Sequence, residues 1–301
     1  MSPRETIALR DYLGPDLKDR SISDARQLVS LTNILGQTCL GSRLGDLSRR
    51  SVLLAVEDQL LSAIAMTEID GVARRMLLCP PDFNADHIQT LIEDADIDAV
   101  VTDHPPRWTD SEVYLVVAAR PPALATGKKV KTGRATEWLM LTSGTSDAPK
   151  IVGHTLEGLT GAIVADGPAR GAPPVWATFH DIRRYGGLQI FLRAILSGGS
   201  MVLSEPNEPI ADYVARLNAR GVTHISGTPS HWRRLLTSGS ASGFSPRYVR
   251  LSGEIADQAV LDGLGRAFPE ASIEHAYAST EAGVGFAVND GPEGFSAHNS
   301  G

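Results

Sequence analysis

Cysteine is almost missing. Cys39 and Cys79 are the only two in 301 residues, too few for a disulfide framework, and such a chain suits a reducing cytoplasm. There is no block of lysines and arginines either, and the formal net charge is −7, which argues against nucleic acid as the main partner. Nor is any apolar run long enough to span a bilayer. The most hydrophobic stretch, residues 188–203, is broken by Arg193 and by Gly198-Gly199 into a buried helix and a strand. The first residues carry Arg4, Glu5, Arg10 and Asp11 and lack the apolar centre of a signal peptide. Internal repeats, low-complexity tracts and the Gly-x-x-x-x-Gly-Lys-Ser/Thr spacing of a Walker A loop are likewise absent. What remains is ordinary globular material, 42% apolar and 21% charged, long enough for one large domain or two modest ones.

Strands and amphipathic helices alternate along the chain. Residues 22–36 read as a helix capped by Ser23, with Leu28, Leu31, Thr32 and Leu35 on one face. A strand at 51–56 is followed by a helix bearing Leu60, Leu61, Ile64, Ala65 and Glu68, then by a strand at 75–78. Asp86 opens a further helix with Ile88, Leu91, Ile92 and Ala95, and 99–102 is the strand after it. Such alternation implies an α/β protein with parallel sheets covered by helices. Residues 103–136 break the rhythm with Pro105-Pro106, Pro121-Pro122 and the lysines Lys128, Lys129 and Lys131. They are read as a linker between subdomains at about 1–125 and 137–301, interrupted by one strand at 113–118. Downstream, Ile210, Tyr213, Val214 and Leu217 make an apolar face that Gly221 ends, and 222–226 is a strand. Asp257 starts a helix that stops before Pro269, and 272–277 is the next strand.

The stretch around which these elements are arranged is 138–150. Four apolar residues, Trp138 to Leu141, form a buried strand that empties into Thr142-Ser143-Gly144-Thr145-Ser146-Asp147-Ala148-Pro149-Lys150. Hydroxyls, loop N–H groups and one ammonium group make a cradle for phosphate, although by itself the stretch also fits a Ser/Thr/Gly surface turn. Three more stretches follow: Thr178-Phe179-His180 with Gly186-Gly187, then Leu251-Ser252-Gly253-Glu254, then Tyr277-Ala278-Ser279-Thr280-Glu281-Ala282-Gly283. Each phosphate-like or acidic loop follows a strand, and ligands of parallel sheets gather at the carboxyl ends of strands.

In order and spacing, these four stretches over residues 142–283 resemble the core motifs of the adenylate-forming superfamily. The resemblance implies the layered αβαβα large domain of an acyl- or aryl-CoA synthetase-like enzyme, with two mostly parallel sheets packed with helices. It implies ATP-dependent activation of a carboxylic acid as an acyl-adenylate, with CoA or a carrier-protein thiol as acceptor. A carboxylate is a poor acyl donor, and its attack on the α-phosphate brings one anion to another, so positive potential must be supplied where charge develops. The resemblance assigns Thr142, Ser143, Gly144, Thr145, Ser146 and Lys150 to the β/γ-phosphates, Thr280 to the α-phosphate and Glu281 to Mg²⁺. Gly253, Glu254 and Ile255 would line one side of the adenine and Tyr277 the other, with Ala278 at its edge. His180 would stand at the acyl pocket, with Tyr185, Gly186, Ser226, Gly227 and Thr228 as further wall residues. Amino-acid-activating members place an Asp directly after this Phe. Here that position holds His180, with Asp181 one step late, which favours an acid without an α-amino group.

Two departures stand out. Asp147 occupies a position that is usually glycine in the family, and Ile151 replaces the glycine that commonly follows the lysine. The chain also stops at Gly301, before the ribose-binding Asp, the hinge and the small mobile domain with its lysine. The resemblance therefore implies slow adenylation by this piece alone. A non-catalytic module that keeps the fold and binds a nucleotide or acyl ligand is the competing reading.

Overall fold

The computed structural model describes residues 7–13, 17–108, 113–124, 133–142, 150–165, 171–279 and 283–288. They form two mostly parallel sheets packed with helices, the expected α/β class. The chain divides into two compact units, Met1–Arg20 with Val29–Gly161 and Ser21–Leu28 with Ala162–Gly301.

In the first unit a six-stranded sheet runs in the order Ile151–His154, Glu137–Leu141, Arg75–Leu78, Ser51–Ala55, Ala99–Thr102, Leu115–Ala118. Every pair is parallel except the hairpin made by Glu137–Leu141 and Ile151–His154. The central strands read as unbroken apolar runs because both of their faces are covered, and Leu53, Leu54, Leu77, Val100 and Val101 are fully buried. The helix Gln59–Ile69 starts where Asp58 accepts the Leu61 N–H at 2.8 Å. Leu91, Ile92, Trp108 and Leu139 complete the core with Leu53 and Leu77. Asp70 accepts the Leu9 N–H at 2.7 Å and the indole N–H of Trp138 at 2.8 Å, and burial lifts its carboxyl to about 6. At the loop end of the hairpin the Thr142 N–H donates to the Lys150 carbonyl at 3.0 Å.

The expected linker at 103–136 is corrected here. Leu115–Ala118 is not an isolated strand in a connection. It is the parallel edge of the first sheet, in register with Ala99–Thr102. Ala123–Leu124 pairs back onto Gln37–Thr38. The division between units falls at Gly161, since Glu137–Leu141 hydrogen-bonds to Arg75–Leu78 and cannot leave the first sheet. The expected helix at 22–36 is also corrected. Ser21–Ser23 and Leu28–Ser30 are short strands, and the helix covers only Leu31–Gly36 with Ser30 as its cap. Leu28 and Leu35, counted on the buried face, are 48% and 41% exposed, so the apolar spacing did not describe a core stripe.

The second unit holds seven strands of an eight-stranded sheet, in the order Gly283–Val288, Ser272–Ser279, Tyr248–Ser252, His224–Gly227, Val175–Thr178, Ser200–Val202, Ser21–Ser23, and the edge strand Leu28–Ser30 begins in it at Leu28. One face carries Ala177, Ile225, Val249 and Leu251 against Leu217, Trp232, Leu235, Val260 and Leu264 from the helices Ile210–Ala219, Pro229–Thr237 and Gln258–Ala267. The alternate residues Trp176, His224 and Tyr248 line up on the opposite face, with ring centroids 4.7 to 5.7 Å apart.

Candidate active site

Strand order locates the crevice of the second unit. From Val175–Thr178 the chain passes through the helix Tyr185–Leu196 to Ser200–Val202 on one side. It then returns through Ile210–Ala219 to His224–Gly227 on the other side. Connections therefore leave the central strand in opposite directions, and the carboxyl ends of Val175–Thr178 and His224–Gly227 flank a topological switch point, where open α/β sheets bind ligands. The residues at those ends are Phe179 and His180 on one strand and Gly227 and Thr228 on the other.

Local chemistry fixes each of them. Thr228 caps the helix Pro229–Thr237: its hydroxyl accepts the His231 N–H at 3.2 Å, and Nδ1 of His231 accepts the Thr228 N–H at 3.1 Å. This is a capping box with His in the place usually taken by Glu or Gln. Because Nδ1 accepts, the neutral ring carries its proton on Nε2. His231 then lies parallel to Phe179 at 5.3 Å and edge-on to His180 at 5.5 Å. Gly227 makes this possible, for a Cβ there would stand 2.7 Å from the Phe179 ring. Glu254 reaches over from the loop after Tyr248–Ser252 and accepts from the Ser230 N–H at 3.1 Å and the Ser230 hydroxyl at 2.6 Å. Desolvation pushes its carboxyl upward, but hydrogen bonds from Ser230 and Thr228, with His231 nearby, hold it below the usual range. Gly253 before it takes φ +86°, and Ile255 after it is 75% exposed.

His180 is the least satisfied group. Its Nε2 is closed to water and meets no hydrogen-bond partner among the described residues, as is also true of the Ser226 hydroxyl. Burial first, and then neighbouring His231, depress the imidazole to about 4 against an opposing pull from Glu254. The ring is therefore neutral at pH 7. The charge of Asp181 is already engaged, because it accepts from Nε and Nη2 of Arg183 at 2.7 and 2.5 Å, and the Arg183 side chain is fully buried.

A pH dependence follows. The unfolded chain takes a proton on this imidazole near pH 6.5 and the folded chain only near pH 4, so the stability that rests on the neutral ring is complete above 6.5 and is lost as the pH falls towards 4. Between pH 7 and pH 4 wild type should lose ~3 kcal/mol more than His180→Phe in urea titrations. Equal slopes would show that the ring is not desolvated.

Among the predicted site residues, the fold brings His180, Gly227, Thr228 and Glu254 to one crevice, with Ser226, Gly253 and Ile255 beside them. Tyr185 and Gly186 open the helix just beyond, and the Gly186 Cα faces the His180 ring. Tyr277 and Ala278 lie on Ser272–Ser279 at a register shift. Thr142 and Lys150 belong to the first unit. Ser143, Gly144, Thr145, Ser146, Thr280 and Glu281 lie outside the described residues, as do the side chains of Tyr277 and Ala278. His231 and Arg183 escaped the sequence reading. The Thr228-x-x-His231 spacing could have revealed the first as a capping box, whereas nothing in the sequence signals the second.

The model of the family described as "AMP-binding enzyme" matches residues 60–300. The chain belongs to this adenylate-forming family. Over 303 aligned residues it is 24% identical to surfactin synthase subunit 1 of Bacillus subtilis (strain 168), covering 93% of this chain but 8% of that protein. Among solved structures, VinN with L-aspartate gives a TM-score of 0.75 at 19% identity, covering 95% of this chain and 79% of that one. The luciferase-like enzyme of the mealworm Zophobas morio gives 0.77 at 13% identity over 96% and 76%. The N-terminal subdomain of Klebsiella oxytoca NpsA with 3-hydroxybenzoyl-AMSN gives 0.75 at 15% over 94% and 75%. At these identities the structures establish the shared fold. No helix among the described residues is long and apolar enough to cross a membrane, and no group of three or more of their His, Cys, Asp and Glu side chains could hold a metal ion.

Proposed function

We propose that the chain activates a carboxylic acid without an α-ammonium group as its acyl-adenylate and passes the acyl group to a thiol, that of CoA or of a carrier protein. A carboxylate oxygen of the acid attacks the α-phosphorus of ATP, the α–β phosphoanhydride bond breaks, and pyrophosphate leaves with the bonding pair. The thiol then attacks the acyl carbon and AMP departs. The observation that carries this reading is the neutral, unpartnered imidazole of His180 at the switch point, with Asp181 held by Arg183. A ligand ammonium would meet no free carboxylate from that pair, whereas an uncharged donor or acceptor, or an aromatic ring, suits an imidazole beside Phe179 and His231. Relatives span both chemistries: VinN is found with L-aspartate and NpsA with 3-hydroxybenzoyl-AMSN. The residue at 180 argues for the second type.

Thr142, Ser143, Gly144, Thr145, Ser146 and Lys150 are proposed to hold the β/γ-phosphates and Thr280 the α-phosphate. Gly253, Glu254, Ile255, Tyr277 and Ala278 are proposed around the adenine. In that arrangement Glu254 would act through the helix cap it makes with Ser230. Magnesium arriving with the nucleotide would neutralise phosphate charge and is assigned to Glu281. The test is pyrophosphate release by the full-length protein across aliphatic, aromatic, dicarboxylic and amino acids. Release with non-amino acids is expected, falling ~100-fold or more in Glu281→Ala, while His180→Ala changes the order of preference. Release with amino acids alone, or ADP as product, would overturn the assignment. Binding of ATP without AMP formation under any acid would favour the non-catalytic reading that Asp147 suggests.

A further inference from the structure

Tyr213 has no place in the reaction above, yet it is tied to the residue from which the site begins. It lies in the helix Ile210–Ala219, is 3% exposed, and its hydroxyl donates to the Thr178 carbonyl at 2.8 Å. Thr178 is the last residue of the central strand. On one side it pairs with Ser226, but on the other the ladder ends a residue earlier, at Ala177 opposite Val202. Its carbonyl therefore needs a partner from outside the sheet, as buried backbone groups do. Tyr213 supplies it. Two further bonds fix the same turn: the Phe179 N–H donates to the Ser226 carbonyl at 3.0 Å, and the His180 N–H donates to the Thr178 hydroxyl at 3.0 Å.

The Tyr213 ring is itself held. It stands edge-on to Phe179 at 5.3 Å, and the Arg216 guanidinium lies over it, 5.1 Å from the centroid. Glu208 clamps that guanidinium through two bonds of 3.0 and 2.7 Å, which fixes its plane. Burial pushes the phenol pKa up, so the hydroxyl stays a donor at any working pH.

We infer that Tyr213 is a positioning residue: through the Thr178 carbonyl it sets the direction in which Phe179 and His180 leave the strand, and so the orientation of His180 in the acid-binding crevice. Among the described residues, Thr178, Phe179 and His180 have no other side-chain tie to this helix. The role in acid selection rests on the proposed function, whereas the orientation of the ring does not.

The experiment compares Tyr213→Phe with Phe268→Leu in the whole chain. Phe268 packs in the same core against Trp232 and Phe244 without contributing to the Thr178 turn, so it reports general loosening. Both variants are expected to melt lower. Only Tyr213→Phe should raise the His180 titration, followed by imidazole NMR, from about 4 towards the ordinary 6.5 as the ring gains water beside His231 and Glu254. The acid KM should rise ~10-fold while the ATP KM changes less than about twofold, since small misplacements of a binding group lose affinity steeply. An unmoved titration in folded Tyr213→Phe, or an equal shift in Phe268→Leu, would overturn the inference. If wild type shows no exchange with any acid, the proposed function fails, and the titration still decides the positioning role. Should Tyr213→Phe not fold, Glu208→Gln loosens the clamp with the hydroxyl intact. A smaller shift of the same sign supports the inference, and none overturns it.

Discussion

Gly187→Ala is expected to lose about 3 kcal/mol of stability or more, the upper range for overpacking. A Cβ at this position would stand 2.1 Å from the Asp181 carbonyl oxygen, 2.5 Å from its carbon and 2.8 Å from the Ile182 nitrogen. Every one of these is backbone, so no side chain can rotate aside. Either the helix Tyr185–Leu196 or the turn after His180 must shift, and the site shifts with it. The neighbouring glycine provides the control. A Cβ at Gly186 would meet the His180 ring at 3.6 Å, ordinary contact distance, so Gly186→Ala should cost less than about 1 kcal/mol. It should nevertheless narrow the crevice beside His180. Urea unfolding followed by circular dichroism measures both variants. A Gly187→Ala stability within about 0.5 kcal/mol of wild type would show that the close approach is not obligatory.

The second large effect concerns Arg183. Its side chain is fully buried and chelated by Asp181, which also accepts the Arg183 N–H at 2.8 Å. A buried pair adds little net stability, because desolvation offsets attraction, but breaking it by removing one partner costs about 3–5 kcal/mol. Arg183→Met should fall in that range, since it leaves the largely buried Asp181 carboxylate without its guanidinium. Arg183→Met with Asp181→Asn should recover part of the loss, and the double-mutant cycle should return a coupling of ~1–3 kcal/mol. Additive losses would mean that the pair is an incidental contact. Arg183→Met by itself also tests specificity: it frees the Asp181 carboxylate, which could then pair with a ligand ammonium group, whereas the double variant with Asp181→Asn could not.

Particular residues show how far the sequence reached. Asp257 announces a helix start because a cap works within three residues of itself, and it accepts the Val260 N–H at 2.9 Å. The strands at Arg75–Leu78 and Ala99–Thr102 match their expected ranges, since doubly covered strands must be apolar throughout. Leu28 and Leu35 misled the reading because helical spacing by chance resembles a buried stripe.

The sequence alone determined the fold class and the family, for both rest on local patterns: apolar runs, caps, and four motifs in a fixed order. Only the tertiary structure decided which strand ends share a crevice, because that depends on the direction in which each crossover returns to the sheet. It also decided the parts of His231, Arg183 and Tyr213. Their partners are a capped backbone N–H, a carboxylate in a tight turn and a carbonyl where a ladder stops, and none of these is visible until distant segments of the chain are packed together.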